Sequence, residues 1–416
     1  MLDALKNALR IPDLRKKILY TFGLLIIYRL GAYVVIPGID PTQVTLGAEG
    51  GVIGLLDLFT GGALSNMSIF ALNVGPYITA SIVLQLLAMV IPSLEEMSKE
   101  PDGQKKIAQY TRYGSIVLAV IQSLGLVAWI SSMGAIRNPG FFSSFTIVAT
   151  MTAGTTLVVW LGDKITEKGI GNGISLLIFA GILARVPAQT LGLIGSIGEG
   201  GISIFTVLLF MIFALAIIAA VVYITEGQRR IPVQYPKKVV GRKVYGGQST
   251  YIPLRVNQAG VMPIIFASSV LGFPITLAKF IPALKGISDF FDKYFLVYAV
   301  LYALLVIVFT YFYSAVSFNT QEITENIKKY GGFIPGYRPG QPTSQFLDRV
   351  LGRITLAGAF FLAFIAVLPF ILQALTRIRG LDFGGTSLLI VVGVAIDTIK
   401  QLEAQLLMHQ YEGFIK

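Results

Sequence analysis

Apolar runs long enough to span a bilayer recur ten times along the chain, near 18–36, 74–92, 114–133, 145–161, 174–191, 204–225, 259–281, 295–318, 354–375 and 384–402. Each approaches the roughly 20 residues that a transmembrane helix needs, so the pattern predicts an all-α polytopic membrane protein with ten transmembrane helices. The stretch 50–91, GGVIGLLDLFTGGALSNMSIFALNVGPYITASIVLQLLAMVI, departs from that pattern. Gly50, Gly51, Gly54, Gly61, Gly62 and Gly75 break it, and Asp57, Ser65, Asn66 and Asn73 interrupt its hydrophobicity. Irregular backbone survives at membrane depth only when it is buried in protein or lines a water-filled cavity. The prediction is therefore a re-entrant half-helix from Val52 to about Phe59, folded back into a cavity. A true span then starts near Val74, with Asn73 as N-cap and Pro76 in the first turn, where a missing N–H is tolerated.

Smaller patterns refine this outline. In GNGISLLIFAGI, Gly171 and Gly173 allow a tight entry into the fifth span, and Ile178 and Ile182 stack four apart on one helical face. Ile78 and Ile82 share that spacing in the second span; ordinary helix packing explains either pair taken alone. The glycine-rich connection 192–203 divides the chain into a first half (18–191) and a second half (204–405), each of five spans. An odd number per half inverts the second relative to the first, and inverted halves place a pathway at their interface. The loop 226–257 carries RIPVQY and STYIPLRV, which predict a hairpin around 241–247. In the loop 319–353, the Pro-Gly pairs of YGGFIPGYRPGQPT predict turns that project Arg338 outward. Both loops exceed the usual connection length, which favours docking. Residues 1–17 form an amphipathic arm with Leu2, Leu5 and Leu9 on one side, suited to anionic lipid headgroups. Residues 406–416 form a short tail.

Composition agrees with the pattern: 54% of the 416 residues are hydrophobic and 13% charged, about half the charged share of soluble domains. Lys and Arg add an orientation. The two terminal segments and the loops after the even-numbered spans hold 25 of the 33 basic residues. Basic residues favour the cytoplasmic side, so both termini are expected there. The first span is expected to insert as a retained anchor, since its apolar run exceeds a signal-peptide core. Arg29 lies within that span and is expected to face protein or to snorkel. Basic loops suit anionic lipid, phosphate-rich RNA or an acidic protein face.

The spans are poor in chemistry. Ion-coupled transporters and proton pumps place Asp, Glu or His inside the membrane, whereas the first nine spans lack all three and the tenth carries only Asp397, near its cytoplasmic end. The single histidine, His409, lies in the tail, and the chain has no cysteine. No phosphate loop, zinc-binding motif or Ser/His/Asp set is present. The expectation is a non-enzyme without cofactor or metal, whose energy comes from a partner; the alternative is a secondary transporter of a small solute.

Seven motifs, in order over nearly the whole chain, then carry a resemblance. GGALSNMSIFALNVGPYITASIVLQLL, KIAQYTRYG, GNGISLLIFAGI, EGQRRIPVQY, PLRVNQAGVMPIIFASS, IPGYRPGQPT and GGTSLLIVVGVAID resemble the bacterial SecY family of protein-conducting channels. The resemblance implies two five-helix halves around a central hourglass pore in the bacterial cytoplasmic membrane, with SecE and SecG as partner subunits. It maps a pore ring onto Ile78, Ile82, Ile178, Ile182, Ile265 and Ile390. It maps the plug onto 52–60 (Val52, Ile53, Leu55, Leu56, Asp57, Leu58, Phe59 and Thr60), within a plug region of about 50–73. A lateral gate is implied between spans two and three and spans seven and eight, with Gln122 and Asn257 as polar contacts. Arg229, Arg230, Arg242, Arg255 and Arg338 are implied to dock the SecA ATPase and the ribosome, including its RNA. The implied function is signal-peptide-gated passage of unfolded nascent chains, with lateral release of membrane segments into lipid. Arg185 departs from the family pattern, which has a small or apolar residue there.

Overall fold

The computed structural model describes residues 10–48, 57, 60–195, 204–240, 243–246, 249–280, 286, 290–291, 294–376 and 385–415. Its helices are α1 (Pro12–Gly31), α2 (Pro41–Ala48), α3 (Gly75–Val90), α4 (Pro92–Lys99), α5 (Pro101–Ser132), α6 (Phe141–Lys168), α7 (Gly173–Gly195), α8 (Ile204–Glu226), α9 (Met262–Phe280), α10 (Phe295–Ser317), α11 (Thr320–Lys329), α12 (Gln341–Thr376) and α13 (Gly385–Ile415). The longer ones, α1, α3, α5 to α10, α12 and α13, each overlap one apolar run. By length and composition, α5, α6, α10 and α12 suffice to cross a membrane, and α3 with α4 counts as a fifth, bent by 108°. The bend sits at Pro92. The residue before a proline is pushed out of the helical region, and Ile91 is extended at φ −101°, ψ 110°.

Neighbours repeat between the halves. In the first, α1 packs on α6 and α7, α3 on α5, α5 on α6, and α6 on α7. In the second, α8 packs on α13, α9 on α10, α10 on α12, and α12 on α13. The halves meet along two seams: α9 against α3 and α5 on one side, and α13 against α7 on the other. Large apolar side chains turn outward at helical spacing, as with Phe22 and Ile26, Val300, Leu304 and Val308, and Phe360 and Phe364. Polar groups turn inward, and the Ser314 and Thr355 hydroxyls meet at 3.0 Å between α10 and α12, as interhelical hydrogen bonds do where water is absent.

Helix ends differ from the expected spans where packing intervenes. The first helix stops at Gly31 rather than near 36, because the following residues turn extended: Val35 bridges Ser68, and Ile36 N–H donates to the Met67 carbonyl at 2.9 Å. Asn73 is not the N-cap of α3. It is buried in the left-handed region (φ 48°), and Val74 takes the cap position without a side-chain hydrogen bond. Pro76 does lie in the first turn.

At the far end of the bundle, β1 (Gln228–Gln234) pairs antiparallel with β4 (Ser249–Arg255), and β2 (Lys237–Val240) with β3 (Lys243–Gly246). The two pairings, each a two-stranded antiparallel ribbon, keep the same register, as the hairpin predicted from the alternating segments requires. The ribbon also joins the next long loop. Gln234 and Phe333 exchange backbone hydrogen bonds at 2.9 Å each. Ile231, Val233 and Leu254 of the ribbon share a buried core with Ile327, Ile334 and Leu347. The two long loops are thus one folded unit.

Candidate pore

Branched aliphatic residues of four helices, drawn from both halves, share one buried core. Ile82 of α3, Ile178 and Ile182 of α7, Ile265 of α9 and Ile390 of α13 are all buried, and Ile78 of α3 packs partly buried against the same cluster. These six isoleucines offer no hydrogen bond and no charge. A narrow neck lined by side chains of this kind would exclude hydrated ions by dewetting. A cavity of about 140 Å³ adjoins them, lined by Ile78, Ile178 and Ile265 together with Thr60 and Leu64 of the broken segment.

That segment is held by directional contacts. Asp57 is 3% exposed. Its Oδ1 accepts from the Thr60 hydroxyl (3.0 Å) and from the amides of Leu64 (3.1 Å) and Ser65 (3.0 Å). Amides outside regular structure therefore find partners, as membrane depth requires. Gly61 has φ 66°, and a Cβ there would lie 2.6 Å from the backbone of Gly181 in α7. Tyr28 of α1 stacks on Phe70 with centroids 5.8 Å apart. Arg29 faces protein, donating to the Gly61 carbonyl at 2.8 Å and to the Tyr33 hydroxyl at 2.9 Å. Val52, Ile53, Leu55, Leu56, Leu58 and Phe59, most of the expected half-helix, lie outside the described residues; Asp57 and Thr60 are within them.

The two expected gate amides stand apart. Gln122 of α5 is half-buried and lines the central cavity opposite Ser268, Ser269 and Gly272 of α9. Asn257 is buried, and its Oδ1 has no hydrogen-bond partner. It lines a second, more polar cavity of about 260 Å³ with Asn172, Arg255, Asp397 and Gln401. No hydrogen bond joins the two residues.

Among the basic residues, Arg229, Arg230, Arg255 and Arg338 are exposed, and Arg242 lies outside the described residues. Arg230 sits over the Tyr251 ring at 4.8 Å. Arg338 lies between Gly336 (φ 87°) and Gly340 (φ 106°). The Thr343 hydroxyl donates to its carbonyl at 2.8 Å, and the rings of Tyr337 and Phe346 stack beside it at 4.0 Å. The turn chemistry of the loop does project this side chain. No cluster of three or more metal-ligating side chains occurs among the described residues.

One contact escaped the reading of the sequence. Arg185 of α7 pairs with Asp57 at 2.9 Å. The available signal was two lone, opposite charges in otherwise apolar stretches.

A family model described as SecY matches residues 68–399. The protein translocase subunit SecY of Thermus thermophilus is 46% identical, over 100% of this chain and 98% of that protein. The subunit of the same name from Mycobacterium tuberculosis is also 46% identical, with all of both chains covered. Among solved structures, one described as a protein-conducting channel superposes with a TM-score of 0.68 at 18% identity, covering 93% of this chain and 91% of its own. A SecY structure whose plug domain is described as stabilising the closed state gives 0.66 at the same identity and coverage. Sec61 from a canine ribosome–channel complex gives 0.64, again at 18% identity and the same coverage.

Proposed function

The chain belongs to the SecY family of protein-conducting channels, and on that premise we propose that unfolded polypeptides cross the membrane through the neck of Ile78, Ile82, Ile178, Ile182, Ile265 and Ile390. The observation that carries the proposal is that five of these residues are buried in the core that both halves share, with Ile78 packed against it, and that Ile78, Ile178 and Ile265 line one cavity. A ring of branched aliphatic side chains excludes hydrated ions at rest, yet bonds to nothing and deforms around any passing chain. The protein is a membrane channel rather than an enzyme, and membership of a channel family leaves the small-solute transporter without support.

The finer parts of the reading are these. The region 52–60 is the plug, which closes the neck at rest. The gate is the seam of α3 and α5 against α9 and α10, through which signal peptides enter and membrane segments leave for lipid. Gln122 biases it from the seam, and Asn257 from the polar cavity. SecE and SecG complete the channel, and anionic lipid lies against the basic arm. SecA or a translating ribosome supplies the energy and docks on Arg229, Arg230, Arg242, Arg255 and Arg338; a ribosome-bound relative of the same fold supports that docking. Both termini are cytoplasmic in the bacterial inner membrane, by the distribution of Lys and Arg.

Ion conductance tests the pore. Replacing all six isoleucines with Gly is expected to make resting channels leak in planar bilayers. Conductance equal to that of the unsubstituted channel would remove the neck from the pathway.

A further inference from the structure

Helix α7 carries Ile178, Gly181, Ile182 and Arg185 at intervals of three and four, so all four share one face. The two isoleucines belong to the neck. Gly181 receives the backbone of Gly61, so close that a Cβ on Gly61 would lie 2.6 Å from it. Arg185, the last of the four, reaches Asp57 at 2.9 Å and runs along Gly62, where a Cβ would lie 3.7 Å from its Nε. Arg29 of α1 also holds the segment, donating to the Gly61 carbonyl. The remaining oxygen of Asp57 is taken by Thr60, Leu64 and Ser65.

An isolated charge is expensive in such surroundings, whereas a paired and hydrogen-bonded one is tolerated. Removing either partner leaves the other uncompensated. We propose that Arg185 is a positioning residue that acts through Asp57, a charge latch fixing Asp57 and residues 60–65 against the neck face of α7 in the closed channel. The claim rests on reading 52–60 as the plug. An apolar contact alone would let that segment slide. The ion pair gives it one seated position, and an entering polypeptide must break the pair before the segment can leave.

The test uses the full chain with its partner subunits in membrane vesicles. Arg185→Leu is expected to raise resting ion flux by about tenfold or more, as a shift from a closed to an open population. It should also allow export of a precursor with a weakened signal peptide. Arg185→Lys keeps the charge and should stay within about twofold of the original flux, since the pair survives. The exchange Asp57→Arg with Arg185→Asp should recover most of the seal that either single change loses. Original flux in Arg185→Leu, or a leak in Arg185→Lys as large as in Arg185→Leu, overturns the latch. If Arg185→Leu fails to accumulate, the absence of cysteine allows Asp57→Cys with Arg185→Cys to be bridged by a short bis-maleimide. Bridging should stop translocation, and undiminished translocation after bridging rejects the proposal. The six-isoleucine variant separates the two claims. A leak there with none in Arg185→Leu discards the latch alone, and no leak in either discards the pore as well.

Discussion

The proposed isoleucine neck and its neighbours, Asp57 and residues 60–73, both contribute to the lining of one cavity and are held by different kinds of force. The proposed neck is six copies of one apolar residue on four helices of a shared core, where dispersion contacts are individually weak and non-directional. The neighbouring residues also bury apolar side chains, Ala63, Leu64, Met67, Phe70 and Ala71, but add directional contacts to them. The same residues have an ion pair, three hydrogen bonds to one carboxylate oxygen, a glycine pressed on a glycine, and two non-glycine residues, Met67 and Asn73, at positive φ. A seal that must fit any passing chain gains from having no preferred partner. A part that must return to one place gains from contacts that are either made or broken.

The contrast is open to attack from several sides. The largest effect is expected at Gly61→Val, which forces a branched side chain into the Gly181 backbone at a positive φ. Strain of this kind costs about 1–3 kcal/mol, and overpacking adds about as much. The thermal midpoint in detergent should fall clearly, and an unchanged midpoint would mean that the close approach does not fix the segment. Arg338→Glu leaves both regions alone and reverses a charge on an exposed turn. SecA-driven export should drop at least about tenfold, as for charges that steer a partner, while membrane insertion and expression persist. Normal export would remove Arg338 from docking. Asn319→Ala removes the side chain that caps α11 through the amides of Gln321 and Glu322, at about 1 kcal/mol. Hydrogen exchange should quicken at the start of α11 and stay unchanged in α3. The smallest effect is expected at Gln122→Leu. Interhelical polar contacts average about 0.6 kcal/mol, and no hydrogen bond joins this side chain to a described residue. Export of a precursor with a defective signal should rise by no more than a few fold; a larger rise would make the seam as directional as the segment at Asp57.

What the sequence revealed follows the range of the interaction. Each apolar run became a helix within a few residues at most ends, because hydrophobicity of that length is a local property. The ribbon of β1 to β4 was legible for the same reason, as alternation and turn residues lie close in the chain. Pro92 was visible, yet the 108° bend needed its neighbours. Asn73 misled because a polar side chain before Pro76 has the composition of a cap, while close packing put its backbone in the left-handed region. The bridge from Gln234 to Phe333 and the pair of Asp57 with Arg185 join residues about a hundred positions apart, and one sequence has no local signal for such partners. The six isoleucines came from the family resemblance, since their spacing alone fitted ordinary packing equally well.

The central claim is that polypeptide passes through the neck. Because the chain contains no cysteine, single cysteines at Ile82 and Ile182 provide unique probes for a secretory precursor stalled midway across. The account predicts that the stalled chain cross-links to both positions and not to an outward-facing one such as Phe360. Cross-links at Phe360 with none at Ile82 or Ile182 would contradict it.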